Sequence, residues 1–172
     1  MRTSTLGLLL AMSAGLSACD KPAATSAQAT MAPPPKPAAT TSACTLVTAA
    51  EVEAATGVKV GVVKPTPPTD AQSGACEYQH ADTQSFGTSI VAAVAVFLPA
   101  KVAGQEKVWT QFMRSDPVEG LGDVARYNPA GGALFVRKGT KAIHVQVLDA
   151  KGGDSGHLDA AKKIAAAVLA RA

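Results

Sequence analysis

The stretch "Thr88-Ser89-Ile90-Val91-Ala92-Ala93-Val94-Ala95-Val96-Phe97-Leu98" is apolar almost throughout. A strand of that composition belongs in the interior of a sheet and needs cover on both faces. A chain that contains it must therefore supply helices, and the flanking sequence has signals for them. Thr48 followed by Glu51 forms a capping box, Val47 and Val52 form its hydrophobic staple, and Gly57 suits the left-handed position that ends a helix. After Pro99 a second helix is expected through Val102, Trp109 and Phe112 to about Arg114, with Lys101, Glu106, Lys107 and Arg114 facing water. A third, from about Gly156, carries Leu158, Ala161, Ile164, Ala165 and Val168 at helical spacing, with Arg171 suited to its C-terminal end.

The strands are read from alternation and turn residues. "Val58-Lys59-Val60-Gly61-Val62" alternates, and Pro65, Pro67 and Pro68 mark a loop before a strand from Ala75 to His80. Past the turn "Gly120-Leu121-Gly122-Asp123", strands are expected near Val124 to Tyr127, Ala133 to Arg137 and Lys141 to Leu148. The order helix, strands, helix, three strands, helix predicts an α+β fold: a twisted antiparallel sheet of five or six strands with helices packed on it. Aromatic residues make up only 4% of the chain, so the core is expected to be Val, Leu and Ile with close backbone approach.

Three regions divide the chain. Residues 1–18 have the single charge Arg2 followed by the apolar run Leu6 to Leu16, the pattern of a secretory signal and too short for the roughly 20 apolar residues of a membrane span. Residues 19–42, rich in Pro, Ala and Thr, cannot bury enough surface to offset the entropy of ordering and read as a tether. "PPPKP" within it also suits a polyproline ligand. Residues 43–172 suit one domain with one core.

Cysteine usage follows the same division. Cys44 and Cys76 lack the close spacing of redox or metal motifs, and in an oxidising compartment two such cysteines form a structural disulfide. Closing a loop of about thirty residues contributes on the order of 3 to 4 kcal/mol in the chain-entropy model. Cys19 is left over. "Leu16-Ser17-Ala18-Cys19" resembles the bacterial lipobox, which implies a diacylglyceryl group on the Cys19 thiol and cleavage just before it. Two or three acyl chains hold a protein on a membrane essentially permanently. Asp20 resembles the sorting signal that keeps lipoproteins at the inner membrane, so a periplasm-facing inner-membrane address is expected over the outer membrane.

"Cys44-Thr45-Leu46-Val47-Thr48" with Glu51, Val52 and Gly57, then "Cys76-Glu77-Tyr78", "Gly120-Leu121-Gly122-Asp123-Val124-Ala125" and "Val136-Arg137-Lys138-Gly139" together resemble a domain-of-unknown-function family of bacterial envelope lipoproteins. Its opening is Cys-x-Leu-Leu-Thr, from which Val47 departs. The resemblance implies a PsbP-like fold, an antiparallel sheet sandwiched by helices, and brings no catalytic residues or cofactor.

No motif announces chemistry. His144 and Gln146 alternate with an apolar face and read as polar residues on the outer side of the sheet; His80 and Asp82 read as solvated residues near a hairpin turn. His157 lies between Asp154 and Asp159 at a helix start, where Asp154 or Ser155 takes the N-cap. No histidines have zinc-ligand spacing, and nucleophile-elbow, phosphate-loop and dinucleotide patterns are absent, so neither metal nor cofactor is expected. Arg126, Arg137, Lys138 and Lys141 are candidates for a patch that meets an anionic partner, or for a charged sheet edge that resists aggregation.

The formal charge of +3 falls to +2 once Arg2 is removed, too small to argue for nucleic acid. The sequence thus predicts a lipid-anchored, non-enzymatic binding module of the cell envelope whose partner is an envelope protein or small ligand. The alternatives are a carrier or sensor of a small hydrophobic or anionic ligand and, less favoured, a hydrolase-type envelope enzyme.

Overall fold

The computed structural model describes residues 42–82 and 89–172. The signal segment, Cys19, Asp20 and the tether as far as Thr41 lie outside the described residues. A 3-10 turn, Ala43–Thr45, opens the fold and leads into α1, Ala49–Thr56. The capping box forms as the sequence predicts: the Thr48 hydroxyl accepts from the Glu51 amide, and the Glu51 carboxylate accepts from the Thr48 amide at 2.8 Å. Gly57 ends the helix with φ 72°.

The sheet contains β1 (Val60–Thr66), β2 (Gln72–His80), β3 (Ile90–Phe97), β4 (Asp116–Pro117), β5 (Val124–Asn128), β6 (Ala133–Lys138) and β7 (Lys141–Val147). Their spatial order is β1-β2-β3-β7-β6-β5-β4, and every neighbouring pair is antiparallel. The fold is α+β, with seven strands rather than five or six. The extra strand, β4, is two residues long and contains a proline, too short to leave a periodic signal. β1 also runs through Pro65, which reads as loop in the sequence. At a sheet edge one side of the strand is unpaired, so a residue without an amide hydrogen costs no ladder bond there.

The apolar β3 lies between β2 and β7 and is covered on both sides. Alternation assigns the faces. On one, Cys76, Tyr78, Ala92, Val94, Leu134, Val136, Ile143, Val145 and Val147 join Val52 of α1 and the Ala160, Ala161, Ile164, Ala165 and Val168 stripe of α3, Gly153–Arg171. On the other, Phe97, Ala133, Phe135 and Ala142 meet Val102 and Trp109. Those two residues belong to a composite segment: a 3-10 turn Pro99–Lys101, then α2, Val102–Lys107, then a π turn, Val108–Phe112, closed by the Met113 amide donating to the Val108 carbonyl at 2.9 Å. The sequence predicts one helix here.

Cys44 and Cys76 are joined in a disulfide with their Cα atoms 5.1 Å apart, tying the turn before α1 to the second strand. Nearby, the buried Tyr78 hydroxyl donates to the Val47 carbonyl at 2.7 Å. Burial, and secondarily the Glu51 charge, push its phenol up to about 12. α3 begins at Gly153, earlier than expected, and neither Asp154 nor Ser155 caps it. Its N-cap is Gly152, and the Ser155 hydroxyl donates to the Gly152 carbonyl instead. At its far end Arg171 clasps Glu51 (2.5 and 2.9 Å) and donates to the Leu46 carbonyl. Hydrogen bonds from Arg171, then from Thr48, hold the Glu51 carboxyl down at about 2.

Candidate functional site

Among the described residues five large apolar side chains are exposed; Val62 and Val63 lie on the edge strand β1, and the other three lie on the segment from Pro99 to Met113. It begins where β3 ends, and Pro99 at the first position gives it a prearranged start. Trp109 anchors it. The indole stacks on Phe135 with ring centroids 5.8 Å apart and an interplanar angle of 15°, and lies 5.5 Å from the His144 ring; Phe97 completes the cluster 6.2 Å from Phe135. A π turn adds one residue to a helical turn and rotates the residues after it, a geometry frequent at functional sites. Here, with Trp109 held inward, Val108, Phe112 and Met113 are turned outward.

Exposure distinguishes these residues. Five of the six described aromatic residues, Tyr78, Phe97, Trp109, Tyr127 and Phe135, are at most 6% exposed, whereas Phe112 is 71% exposed. Val108 (39%) and Met113 (37%) flank it. Val108 and Phe112 are four residues apart and share a stripe with Lys101, seven residues before Val108. Lys101, Lys107 and Arg114 are exposed, and none has a side-chain hydrogen bond or ion pair within the described structure. Glu106 is different. The sequence reading puts it in water, yet it is half-buried and pairs with Arg137 Nε at 2.7 Å.

The basic residues singled out from the sequence are largely committed to internal contacts. Arg126 reaches the Ser115 hydroxyl at 3.3 Å and also donates to the Ser115 carbonyl. Arg137 bridges Glu106 and Asp123, and Asp123 also accepts from the Gly139 amide at 2.7 Å. Lys141 donates to the Ala172 backbone oxygen. Lys138 alone of the four has no side-chain partner in the described structure. Arg126 and Arg137 therefore fasten the α2 segment and the β4–β5 region to the sheet, with no free four-residue patch. Spacing along the strands could not reveal this, since the acids and carbonyls that hold them come from the covering segment.

The histidines also separate. His144 does lie on the face opposite the apolar one, as alternation predicts, but Trp109 covers it and it is not a solvated outer residue. Burial pushes its pKa down to about 4, so it is neutral at physiological pH. His80 is not solvated either: its side chain is 11% exposed, and Nε2 lies 3.3 Å from Asp149 Oδ2. Asp82 is exposed. His157 and Asp159 lie within α3, one half-buried and the other exposed, and no group of three His, Cys, Asp or Glu side chains among the described residues could hold a metal ion. Among the same residues no helix is long and apolar enough to cross a membrane.

Comparison with family models, with curated proteins and with solved structures finds no match for this chain. The functional reading therefore rests on its own residues. The ridge of Val108, Phe112 and Met113 is not legible as such from sequence. Helical periodicity alone places Phe112 with Trp109 on the inner side, and only the switch to a π turn separates them.

Proposed function

We propose that this chain is a lipid-anchored protein of the bacterial cell envelope, acylated at Cys19, whose domain is a non-enzymatic binding module facing the periplasm. The lipobox resemblance supports the anchor, and Asp20 supports the inner membrane. The same reading assigns the chain to the envelope-lipoprotein family that its motifs between Cys44 and Gly139 resemble. The observation that carries the binding role is the exposed aromatic at Phe112. Leaving a phenylalanine in water forgoes about 1.5 to 3 kcal/mol of burial, and this chain buries its other described aromatics. An apolar ridge of this kind, rimmed by charged residues, marks an interaction site.

The fixed cover under the ridge favours surface binding over enclosure of a ligand. Trp109 stacked on Phe135 fills the space between segment and sheet that a hydrophobic carrier would keep open. The test is metabolic labelling with palmitate, coupled to membrane fractionation, of the wild type and Cys19→Ser. The wild type is expected to carry label and to sediment with membranes, and the variant to lose the label and run at the unprocessed mass. Unlabelled wild type, or a variant with the label unchanged, overturns the reading.

A further inference from the structure

The ridge has a second property beside its apolarity: the charge around it is of one sign. Lys101, Lys107 and Arg114 have no side-chain partner among the described residues, while Glu106, the acid within the same segment, is neutralised by Arg137. The exposed acids Asp116 and Glu119 come only after the segment, on β4 and the turn beyond it. An aromatic and two aliphatic side chains projecting between exposed cations match the interface of an anionic bilayer, where apolar side chains enter the headgroup boundary and Lys and Arg meet phosphate.

Topology starts this segment at the end of the sheet where the tether arrives, and from there it crosses the sheet toward β4, whose Asp116 pairs with Tyr127. The described chain starts at Ser42, which lines an open groove with Pro65, Pro68 and Gly74 at the β1–β2 turn. Phe97, at the end of β3, is in register with Gln72 just after that turn, and the Leu98 amide donates to the Ala71 carbonyl at 2.9 Å. Pro99–Lys101 therefore starts beside the tether's entry. The turn that carries Lys138 is at the same end, since Val96 pairs with Ile143 and Lys138 with Lys141. The segment from Asp20 to Thr41 spans at most about 70 Å, so an anchor at Cys19 keeps the domain within reach of the bilayer.

From the exposed apolar ridge and the single sign of the charge around it, the geometry points to Val108, Phe112 and Met113, with Lys101, Lys107 and Arg114, as a docking surface for anionic phospholipid. It lays the domain against the same membrane that holds its anchor. The inference rests on the reading of the chain as a tethered lipoprotein for its biological setting. Tethering makes docking an intramolecular event at an effective concentration in roughly the millimolar range, so a weak surface is sufficient.

The experiment uses a chain from Asp20 to Ala172, which keeps every described residue and omits Cys19, so that no acyl chain contributes. Flotation with vesicles of phosphatidylcholine alone, or with phosphatidylglycerol added, measures partitioning at low and raised salt. Three cations near a charged surface predict a preference for anionic vesicles on the order of 100-fold, falling with salt. Replacing Phe112 and Met113 with Ser is expected to weaken partitioning about tenfold or more, and Lys101→Glu with Lys107→Glu and Arg114→Glu to abolish the anionic preference. Unchanged thermal unfolding of both variants shows that the loss is not one of folding.

Equal partitioning to the two vesicle types, no partitioning, or variants that float like the wild type overturns the inference. So does sedimentation showing Phe112-dependent self-association without vesicles, which would make a second copy the occupant. Because the chain used lacks Cys19, these outcomes are independent of the palmitate test. Vesicle binding with an unacylated Cys19 would sink the lipoprotein reading and leave the docking surface standing.

Discussion

On one face the sheet is met by two helices that bring alanine, valine and isoleucine down onto valine and leucine, and Arg171 closes them with a clasp to Glu51 and the Leu46 carbonyl. On the other it is met by a short helix and a π turn held by one tryptophan, two arginine contacts and a proline start. The first face has small side chains in close approach and a disulfide behind it. The second has three of the chain's few aromatic rings, a covered histidine and an exposed phenylalanine. The exposed apolar ridge thus lies on the lesser cover, apart from the larger core under α1 and α3.

The two faces are best separated by truncating each. Phe135→Ala removes the platform under Trp109 and is expected to cost about 3 to 5 kcal/mol, and Ile164→Ala on the helical face about 2 to 5 kcal/mol, both measured by urea unfolding. The distinguishing readout is the titration of His144 followed by NMR. Phe135→Ala lets water reach the imidazole and moves its pKa back up toward the ordinary range; Ile164→Ala leaves it near 4. A His144 titration that moves equally in both variants would mean that the faces act as one unit. Removing the bridge with Cys44→Ala and Cys76→Ala belongs to the helical side, with an expected loss of about 3 to 4 kcal/mol.

Acid separates the faces next. His144 has a lowered pKa in the folded state, so the unfolded chain takes up its proton first. Stability from the neutral imidazole is fully present above about pH 6.5 and is lost as pH falls toward 4, by about 3 kcal/mol in all. Glu51 on the helical face acts in a lower window. Its carboxyl is depressed from 4.5 to about 2, so its contribution is present above 4.5 and is lost only as pH falls toward 2. His144→Leu is therefore expected to flatten the urea midpoint between about pH 6.5 and 4.5 and to leave the steeper fall below it intact. An unflattened profile would place the acid sensitivity elsewhere.

A smaller effect is expected at Tyr78→Phe, which leaves the Val47 carbonyl without its buried donor and costs about 1 to 3 kcal/mol with no change in the His144 titration.

Legibility in the sequence divides along the same two faces. The Thr48–Glu51 box, the Gly57 cap, the Cys44–Cys76 pair and the α3 stripe are local or compositional signals, and each appears in the structure where the residues put it. On the α2 side the determining contacts are non-local. Arg137 finds Glu106 across 31 positions of the chain, Arg126 finds Ser115, and Trp109 finds Phe135. None leaves a spacing to read. β4 leaves no signal because two residues have no period, and the π turn leaves none because nothing in "Val108-Trp109-Thr110-Gln111-Phe112" distinguishes it from one more helical turn.

The smallest effect on folding belongs to Phe112, the residue at the centre of the proposed docking surface. Phe112 is mostly in water, so Phe112→Ser is expected to change unfolding free energy by no more than about 0.5 kcal/mol. The same substitution made at Trp109, three positions earlier and 6% exposed, removes the anchor of the whole segment and is expected to cost about 3 to 5 kcal/mol. Calorimetry of the pair gives the sharpest statement of the contrast between an inward and an outward aromatic on one π turn. If Phe112→Ser unfolded as easily as Trp109→Ser, the phenylalanine would be part of the core. The ridge would then be a piece of packing rather than a surface kept for a partner.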